Sequence, residues 1–263
     1  MKSVLSTISP LVVEPVPLGA VRLANGSHEW TAEDTNRQFL EKIQVDSLLF
    51  NTRLFGGAKS PPGEPQPPSS YASCGPWPAP TCAPAGPSLG GWESPGGTGR
   101  GSFEGHWLSA ASRAAVAIPS PELRSRVLAF VGEARRIQLA TPPGPRAGFV
   151  GGMNPDALDD LFAISQPVPT VKRPNGTDLS DAPLYHVHKW LSGLLDAHEF
   201  LHNETALEVA VGIFDWLEPK MTSLIEHHGM TWWDDILQWE YGALKTNPRV
   251  QSRQTGLRLA LKA

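Results

Sequence analysis

Cysteine is scarce in this sequence, and neither sign of charge is in large excess. The two cysteines, Cys74 and Cys82, could form one small disulfide or remain free thiols, and no histidine lies near them at metal-ligand spacing. A formal net charge of −4 gives no sign of binding to nucleic acid or to a membrane surface. No apolar run approaches the roughly eighteen residues of a membrane-spanning helix. The 263 residues are enough for one sizeable domain with a buried core.

Alternating strand patterns are also rare after residue 30, and no repeat of fixed period is visible. Instead, apolar residues recur at three- and four-residue spacing in successive segments, which indicates helices with one buried face. The predicted helices cover Thr31 to about residue 49, 103–117, 121–137, a segment beginning at Asn154, 183–201, 204–217 and 231–240. Because the connections between them are short, we predict an all-α fold of about seven helices arranged in hairpins.

Three side chains are predicted to cap helices. Thr31 begins a Thr-Ala-Glu-Asp segment that resembles a capping box, Ser120 precedes a proline and a glutamate, and Asn203 precedes an amphipathic stretch. In each case the side-chain oxygen would accept a hydrogen bond from a backbone N–H of the first turn. The three residues therefore predict where three helices begin.

Proline is concentrated in one segment, residues 58–89, and blocks helix formation there. We predict a surface loop inserted into the domain, for which a solvated spacer is favoured over a segment that binds a partner. Residues 1–28 contain short β-branched pieces separated by prolines and are predicted to be an extended N-terminal segment.

The predicted helix 183–201 carries polar groups beside its apolar face. His188 falls on the face that holds Leu184 and Leu191, and Tyr185 and Lys189 lie four residues apart on its flank. A histidine among leucines is more often a core residue than a ligand-binding one. Taken alone, this helix favours a structural role for His188.

Four short motifs follow one another along the chain. They are Gly90-Gly-Trp-Glu, Arg100-Gly-Ser-Phe-Glu-Gly-His-Trp-Leu-Ser-Ala, Tyr185-His-Val-His-Lys and Trp239-Glu-Tyr-Gly. Their order and spacing resemble glycoside hydrolase family 127, the β-L-arabinofuranosidase-like enzymes, over roughly residues 31 to 242. The resemblance implies an (α/α)6 barrel with its site at one end. Since a full barrel needs more helices than are predicted, we expect an incomplete (α/α)6 toroid in residues 29–242, with a divergent tail at 243–263.

The resemblance also implies roles for individual residues. Glu240 matches the glutamate that acts as general acid/base, and Trp239 and Tyr241 would form apolar walls beside it. Contacts with the sugar are implied for His106, His188, Tyr185, Lys189, Trp92 and Glu93. A structural ion pair is expected between Glu104 and Arg100. The remaining histidines of the motif-bearing region match nothing in the family and are expected at the surface: His186, His198, His202, His227 and His228.

The sequence departs from the family pattern after Gly242. The family's nucleophile is a cysteine thiolate held by zinc, and the thiolate and the other zinc ligands lie downstream of this point, where nothing here matches them. Cys74 and Cys82 lie upstream, in the insertion. We therefore expect no metal ligand, no cofactor and no hydrolase activity in this chain by itself, as for a truncated enzyme, and zinc in the complete family enzyme.

The expected function of the complete enzyme is hydrolysis of non-reducing-end β-L-arabinofuranosides in cell-wall glycans. Three alternatives stay open: a non-catalytic carbohydrate-binding remnant, another α/α-toroid sugar enzyme such as an epimerase or lyase, and a plain helical scaffold. The expected partner is an arabinose-containing oligosaccharide or glycoprotein glycan, with no nucleic acid and no membrane. Sequons at Asn25, Asn175 and Asn203 favour the secretory pathway over the cytoplasm.

Overall fold

A computed structural model of the protein describes residues 16–55, 89–93, 101–141, 143–153 and 183–228. Within these ranges the chain forms seven α-helices and two 3-10 turns, and no strand. The helices are α1 (His28–Lys42), α2 (Val45–Leu48), α3 (Phe50–Phe55), α4 (Ser102–Ala117), α5 (Pro121–Ala140), α6 (Pro183–Leu201) and α7 (Glu204–His228). The prediction of an all-α fold is confirmed, and the helices correspond to an incomplete (α/α)6 toroid.

The N-cap of the first helix lies four residues earlier than predicted. Ser27, not Thr31, is its N-cap, and the Ser27 hydroxyl accepts a hydrogen bond of 3.1 Å from the Trp30 backbone N–H. The Thr31 hydroxyl instead donates to the Ser27 carbonyl, as in a helix interior. The predicted continuation to residue 49 is also wrong, because Ile43 has extended backbone and separates α1 from α2. Two capping residues four positions apart compete here, and the earlier one adds a full turn to the helix.

The other predicted caps are confirmed. Ser120 accepts a 3.0 Å hydrogen bond from the Leu123 N–H at the start of α5, and Asn203 accepts one of 3.0 Å from the Ala206 N–H at the start of α7. Both residues stand in short connections, so α4 and α5 form one helix hairpin and α6 and α7 form another. The predicted apolar face of α7 is buried: Ala206, Val209, Ala210, Ile213 and Leu217.

The core lies among α4, α5, α6 and α7. The Phe130 ring on α5 lies 5.7 Å from the Trp107 ring of α4 and 5.4 Å from the Trp190 ring of α6, measured between centroids. All three side chains are almost fully buried. The Trp107 indole N–H also donates to the Leu40 carbonyl, which attaches α1 to this group. Tilted aromatic contacts of this kind add about 0.5–1.5 kcal/mol to the free energy of unfolding beyond the area they bury.

The closest helix contact is between α4 and α6, and two glycines make it possible. A Cβ atom added at Gly105 would lie only 2.2 Å from the Lys189 carbonyl carbon and 2.5 Å from the Trp190 nitrogen. A Cβ at Gly193 would lie 2.7 Å from the Gly105 carbonyl oxygen. The backbones of the two helices are therefore in direct contact, as only glycine allows.

Other predictions fall outside the described residues. These are the helices expected at 154 and at 231–240, nearly all of the proline-rich insertion and the tail after residue 242. The domain boundaries therefore stay predictions. In the described part of residues 1–28, a 3-10 turn at Leu18–Ala20 precedes extended backbone. No helix in the part of the chain that the structure describes is long and apolar enough to cross a bilayer.

Candidate functional site

Four of the predicted sugar-binding residues lie in one cluster, with His106 on α4 and Tyr185, His188 and Lys189 on α6. The His106 Nε2 atom and the Tyr185 hydroxyl are 2.9 Å apart and share a hydrogen bond. The Lys189 ammonium lies 4.5 Å from the centroid of the Tyr185 ring, over its face. This favourable cation–π contact holds the ring at the position where its hydroxyl reaches His106.

The register of α6 against α4 produces this cluster. Tyr185, His188 and Lys189 are three and four residues apart, so their side chains share one side of the first turns of α6. On α4, His106 directly follows Gly105, where an added Cβ atom would overlap the Lys189 backbone. The close approach of the two helices therefore places the histidine next to the tyrosine.

The pKa of each histidine of the cluster is lowered, which favours the neutral imidazole at pH 7. Partial burial and the positive charge of Lys189 lower the pKa of His106. The pKa of His188 is lowered by burial, by Lys189 and by His106. A neutral imidazole donates a hydrogen bond from one nitrogen and accepts one at the other. Each ring can therefore donate to a hydroxyl oxygen or accept from a hydroxyl hydrogen.

The buried face of α6 differs from the predicted one. His188 is only half-buried, at the border of this face, whereas His186 is 3% exposed. The expectation that His186 is a surface residue is therefore wrong. It lies four residues before Trp190, which is on the stripe that packs against α4 and α5. His202 is exposed as expected, and His198 is half-buried.

Glu93 forms a cap at the start of α4. Its two carboxylate oxygens accept hydrogen bonds from the Gly101 and Phe103 backbone N–H groups, at 2.7 and 2.8 Å. A carboxylate at the positive end of a helix dipole is stabilising there. These contacts give Glu93 a structural role, and its predicted contact with a sugar stays a prediction. The side chain of Trp92 lies outside the described residues.

Glu104 is buried at the start of α4 and is hydrogen-bonded there. Its side chain is 0% exposed, and its carboxyl group binds Thr52, Gly152 and Trp190. Burial, and then the negative charge of Glu93, raise the pKa of Glu104 well above its usual range. Arg100 lies outside the described residues, so the expected ion pair stays a prediction.

A family model described as "Beta-L-arabinofuranosidase, GH127 catalytic domain" matches residues 20–234. The match covers most of the chain and includes all the residues of the cluster. The chain belongs to glycoside hydrolase family 127. Its function is therefore glycoside hydrolase-like at the level of the family. No curated protein matches the chain.

Three residues that bear on the predicted chemistry lie beyond the described residues. Glu240, the predicted general acid/base, is outside them, as are Cys74 and Cys82. Within the described ranges, no group of three or more His, Cys, Asp or Glu side chains could hold a metal ion. The described GH127 residues therefore do not fit the family's zinc, and its place in the complete enzyme stays a prediction.

Proposed function

We propose that this GH127 chain binds the terminal β-L-arabinofuranosyl unit of a glycan at His106, Tyr185, His188 and Lys189. The observation that carries the proposal is the His106–Tyr185 hydrogen bond of 2.9 Å beside a second histidine, His188, whose pKa is lowered. An arabinofuranosyl unit offers only hydroxyl groups and ether oxygens. Neutral imidazoles and a phenol can each donate to and accept from such groups, whereas an ammonium donates.

The charge of the cluster supports a neutral ligand that is rich in hydroxyl groups. Lys189 lies over the Tyr185 ring and lowers the pKa of both neighbouring histidines. The cluster therefore carries one positive charge and several groups that can both donate and accept. Such a set orients hydroxyls without requiring a charged substrate.

For the complete enzyme we propose hydrolysis of β-L-arabinofuranosides, with Glu240 protonating the leaving oxygen. For this chain by itself, we propose binding without turnover. Its only cysteines, Cys74 and Cys82, precede the cluster in sequence, and neither matches the family's nucleophile. A protein that binds the sugar but leaves the glycosidic bond intact would be a carbohydrate-binding member of the family.

Two measurements on the full chain test the proposal. Isothermal titration with methyl β-L-arabinofuranoside should show binding, and His106→Ala should weaken it about tenfold, the loss of roughly one hydrogen bond to the ligand. His28→Ala, an exposed histidine at the start of α1, is the matched control and should bind like the wild type. Hydrolysis of p-nitrophenyl β-L-arabinofuranoside should be absent, with or without added zinc.

The two measurements test binding and turnover independently. No binding by the folded wild type, or equal binding by His106→Ala, would remove the proposed site. Turnover of the nitrophenyl substrate would leave the site in place but would show that the chain is itself a hydrolase.

A further inference from the structure

The carboxyl group of Glu104 joins four separate segments. Its Oε1 atom lies 2.7 Å from the Thr52 hydroxyl on α3. Its Oε2 atom accepts from the Trp190 indole N–H on α6 at 2.8 Å and from the Gly152 backbone N–H at 3.0 Å. Glu104 itself belongs to the first turn of α4. The side chain is fully buried, so these protein groups make the hydrogen bonds that water would make to an exposed carboxyl group.

Neighbouring atoms leave little free space around the Glu104 carboxyl group. A Cβ atom added at Gly152 would lie 2.7 Å from each Glu104 oxygen, so only glycine fits beside it. The Trp190 indole N–H also donates to the Gly101 carbonyl, 3.1 Å away. The backbone before α4, the loop at Gly152 and the helix α6 therefore meet at one buried group.

The donor pattern indicates where a proton would reside. Both partners of Oε2 are N–H groups, which can only donate. The partner of Oε1 is a hydroxyl, which can either donate or accept. The Thr52 hydroxyl donates to Oε1 when Glu104 is ionised and accepts from it when Glu104 is a neutral acid with its proton on Oε1, so all three hydrogen bonds persist in either form.

Burial and the neighbouring charge favour the neutral form and outweigh the three hydrogen bonds, which by themselves lower the pKa of Glu104. The side chain has no exposed surface, and burial of a carboxylate is costly unless a cation pairs with it. Among the described residues, the charged neighbour that acts on it is another carboxylate, Glu93, and burial and then this charge raise the pKa of Glu104. Arg53, the cation on α3 next to Thr52, pairs instead with Asp46 and Glu133.

We propose that Glu104 is a positioning residue, a buried neutral acid that fixes α4 against α6 so that His106 meets Tyr185. Glu104 lies two residues before His106, and its partner Trp190 follows Lys189 directly. The hydrogen bond between Glu104 and Trp190 therefore lies just beneath the cluster, next to the Gly105 contact. The effect on sugar affinity rests on the proposed function, whereas the effect on the His106–Tyr185 pair does not.

Two substitutions of similar size test the proposal. In Glu104→Gln, the amide oxygen can accept from Trp190 and Gly152 while the amide NH2 donates to Thr52, so all three hydrogen bonds persist. In Glu104→Met, the same volume is filled and none of the three remains. We expect Glu104→Gln to bind methyl β-L-arabinofuranoside within about twofold of the wild type and Glu104→Met to bind at least about tenfold more weakly.

Two spectroscopic signals test the same claims without a sugar. The infrared spectrum at neutral pH should contain a carboxylic-acid C=O band that disappears in Glu104→Gln. The NMR shift of the His106 Nε2 atom should be unchanged in Glu104→Gln, but in Glu104→Met it should move toward the value in Tyr185→Phe, in which the hydrogen bond is absent. If Glu104→Met does not fold, Thr52→Val provides the second variant, which removes the hydroxyl partner of Oε1 at constant size. It should move the His106 signal in the same direction.

Each outcome decides the proposal. Absence of the infrared band, or a Glu104→Gln protein as perturbed as Glu104→Met, would show that Glu104 is ionised and would overturn it. An unchanged His106 signal in both Glu104→Met and Thr52→Val would overturn the positioning role. If the wild type binds no arabinofuranoside but the spectroscopic results hold, the proposed function fails while the role of Glu104 stands.

Discussion

The contact of α4 with α6 and the contact of α5 with α7 are built in different ways. Between α4 and α6 the backbones touch at Gly105, and a buried carboxyl group lies beside this point. Between α5 and α7 the two helices present apolar side chains, and Gln138 bridges them by donating to the Val209 carbonyl at 3.0 Å. The α4–α6 contact fixes the relative position of its two helices within narrow limits, whereas the α5–α7 contact mainly buries apolar surface.

The candidate site lies at the first of these contacts. A hydrogen bond such as that of His106 with Tyr185 weakens steeply when its atoms shift by a few tenths of an ångström. Side chains can rotate to fill a changed space, but two backbones in contact cannot adapt in this way. A site that depends on the relative position of two helices is therefore better placed at the α4–α6 contact. The α5–α7 contact contributes stability from a distance.

The largest expected effect is that of Gly105→Ala. The new methyl group would overlap the Lys189 and Trp190 backbone and force α4 away from α6. We expect a loss of about 3 kcal/mol in the free energy of unfolding, measured by urea denaturation. Gly132→Ala on α5 is the control, because nothing lies within 4 Å of its Cβ position, and it should stabilise the protein by about 0.5–1 kcal/mol. Equal stability of the two variants would contradict the difference between the contacts.

Tyr185→Phe should affect affinity more than stability. It removes the hydroxyl that pairs with His106 but keeps the ring beneath the Lys189 ammonium. We expect affinity for methyl β-L-arabinofuranoside to fall about tenfold, which is about 1.4 kcal/mol, while the free energy of unfolding changes by less than about 1 kcal/mol. Calorimetric titration and urea denaturation measure the two quantities. A large loss of stability with unchanged affinity would make Tyr185 a structural residue.

Ile213→Val should show the opposite pattern. Ile213 is 1% exposed on α7, and removing one methylene group should cost about 1 kcal/mol in the free energy of unfolding. Because α7 contributes none of the four cluster residues, the affinity of the folded protein for the sugar should stay at the wild-type value. A changed affinity in this variant would show that the two contacts are not independent.

Of the four expected effects, the change in sugar affinity with pH should be the smallest near pH 7. Burial and Lys189 lower the pKa of His106 and His188, so the neutral form of each ring predominates above about pH 6.5, the usual pKa of histidine. Affinity should change little between pH 8 and about 7 and should fall at lower pH as protonation removes the acceptor nitrogens. The free energy of unfolding should also fall below about pH 6.5, because the unfolded chain then binds more protons than the folded one. Titrations between pH 5 and 8 test this, and an affinity that rises on acidification would contradict it.

Most of the helical architecture could be predicted from sequence because its signals are local. The stretch from Pro183 to Leu201 and the caps Ser120 and Asn203 depend on neighbours within a few residues. The start of α1 could not be fixed in this way, since Ser27 and Thr31 are both acceptable caps. Local patterns do not say which of two adequate starts the folded chain will use.

Motif order singled out His106, Tyr185, His188 and Lys189, which the structure brings together, and their contact with a sugar stays a prediction. The burial of the residues that support them was not predicted. The sequence does contain a signal for Glu104, which shares the i, i+3, i+4 face of α4 with Trp107 and Leu108. Its partners Thr52 and Gly152 are distant in sequence, so only the fold brings them together. The same applies to His186, whose burial depends on α6 packing against several helices at once.

A crystal structure of the full chain with methyl β-L-arabinofuranoside would show directly whether the cluster binds the sugar. We expect the sugar ring at the cluster, with hydroxyl groups within hydrogen-bonding distance of His106 and Tyr185 and with α4 and α6 unmoved. Sugar density at another place on the surface, with the His106–Tyr185 hydrogen bond intact and uncontacted, would contradict this expectation.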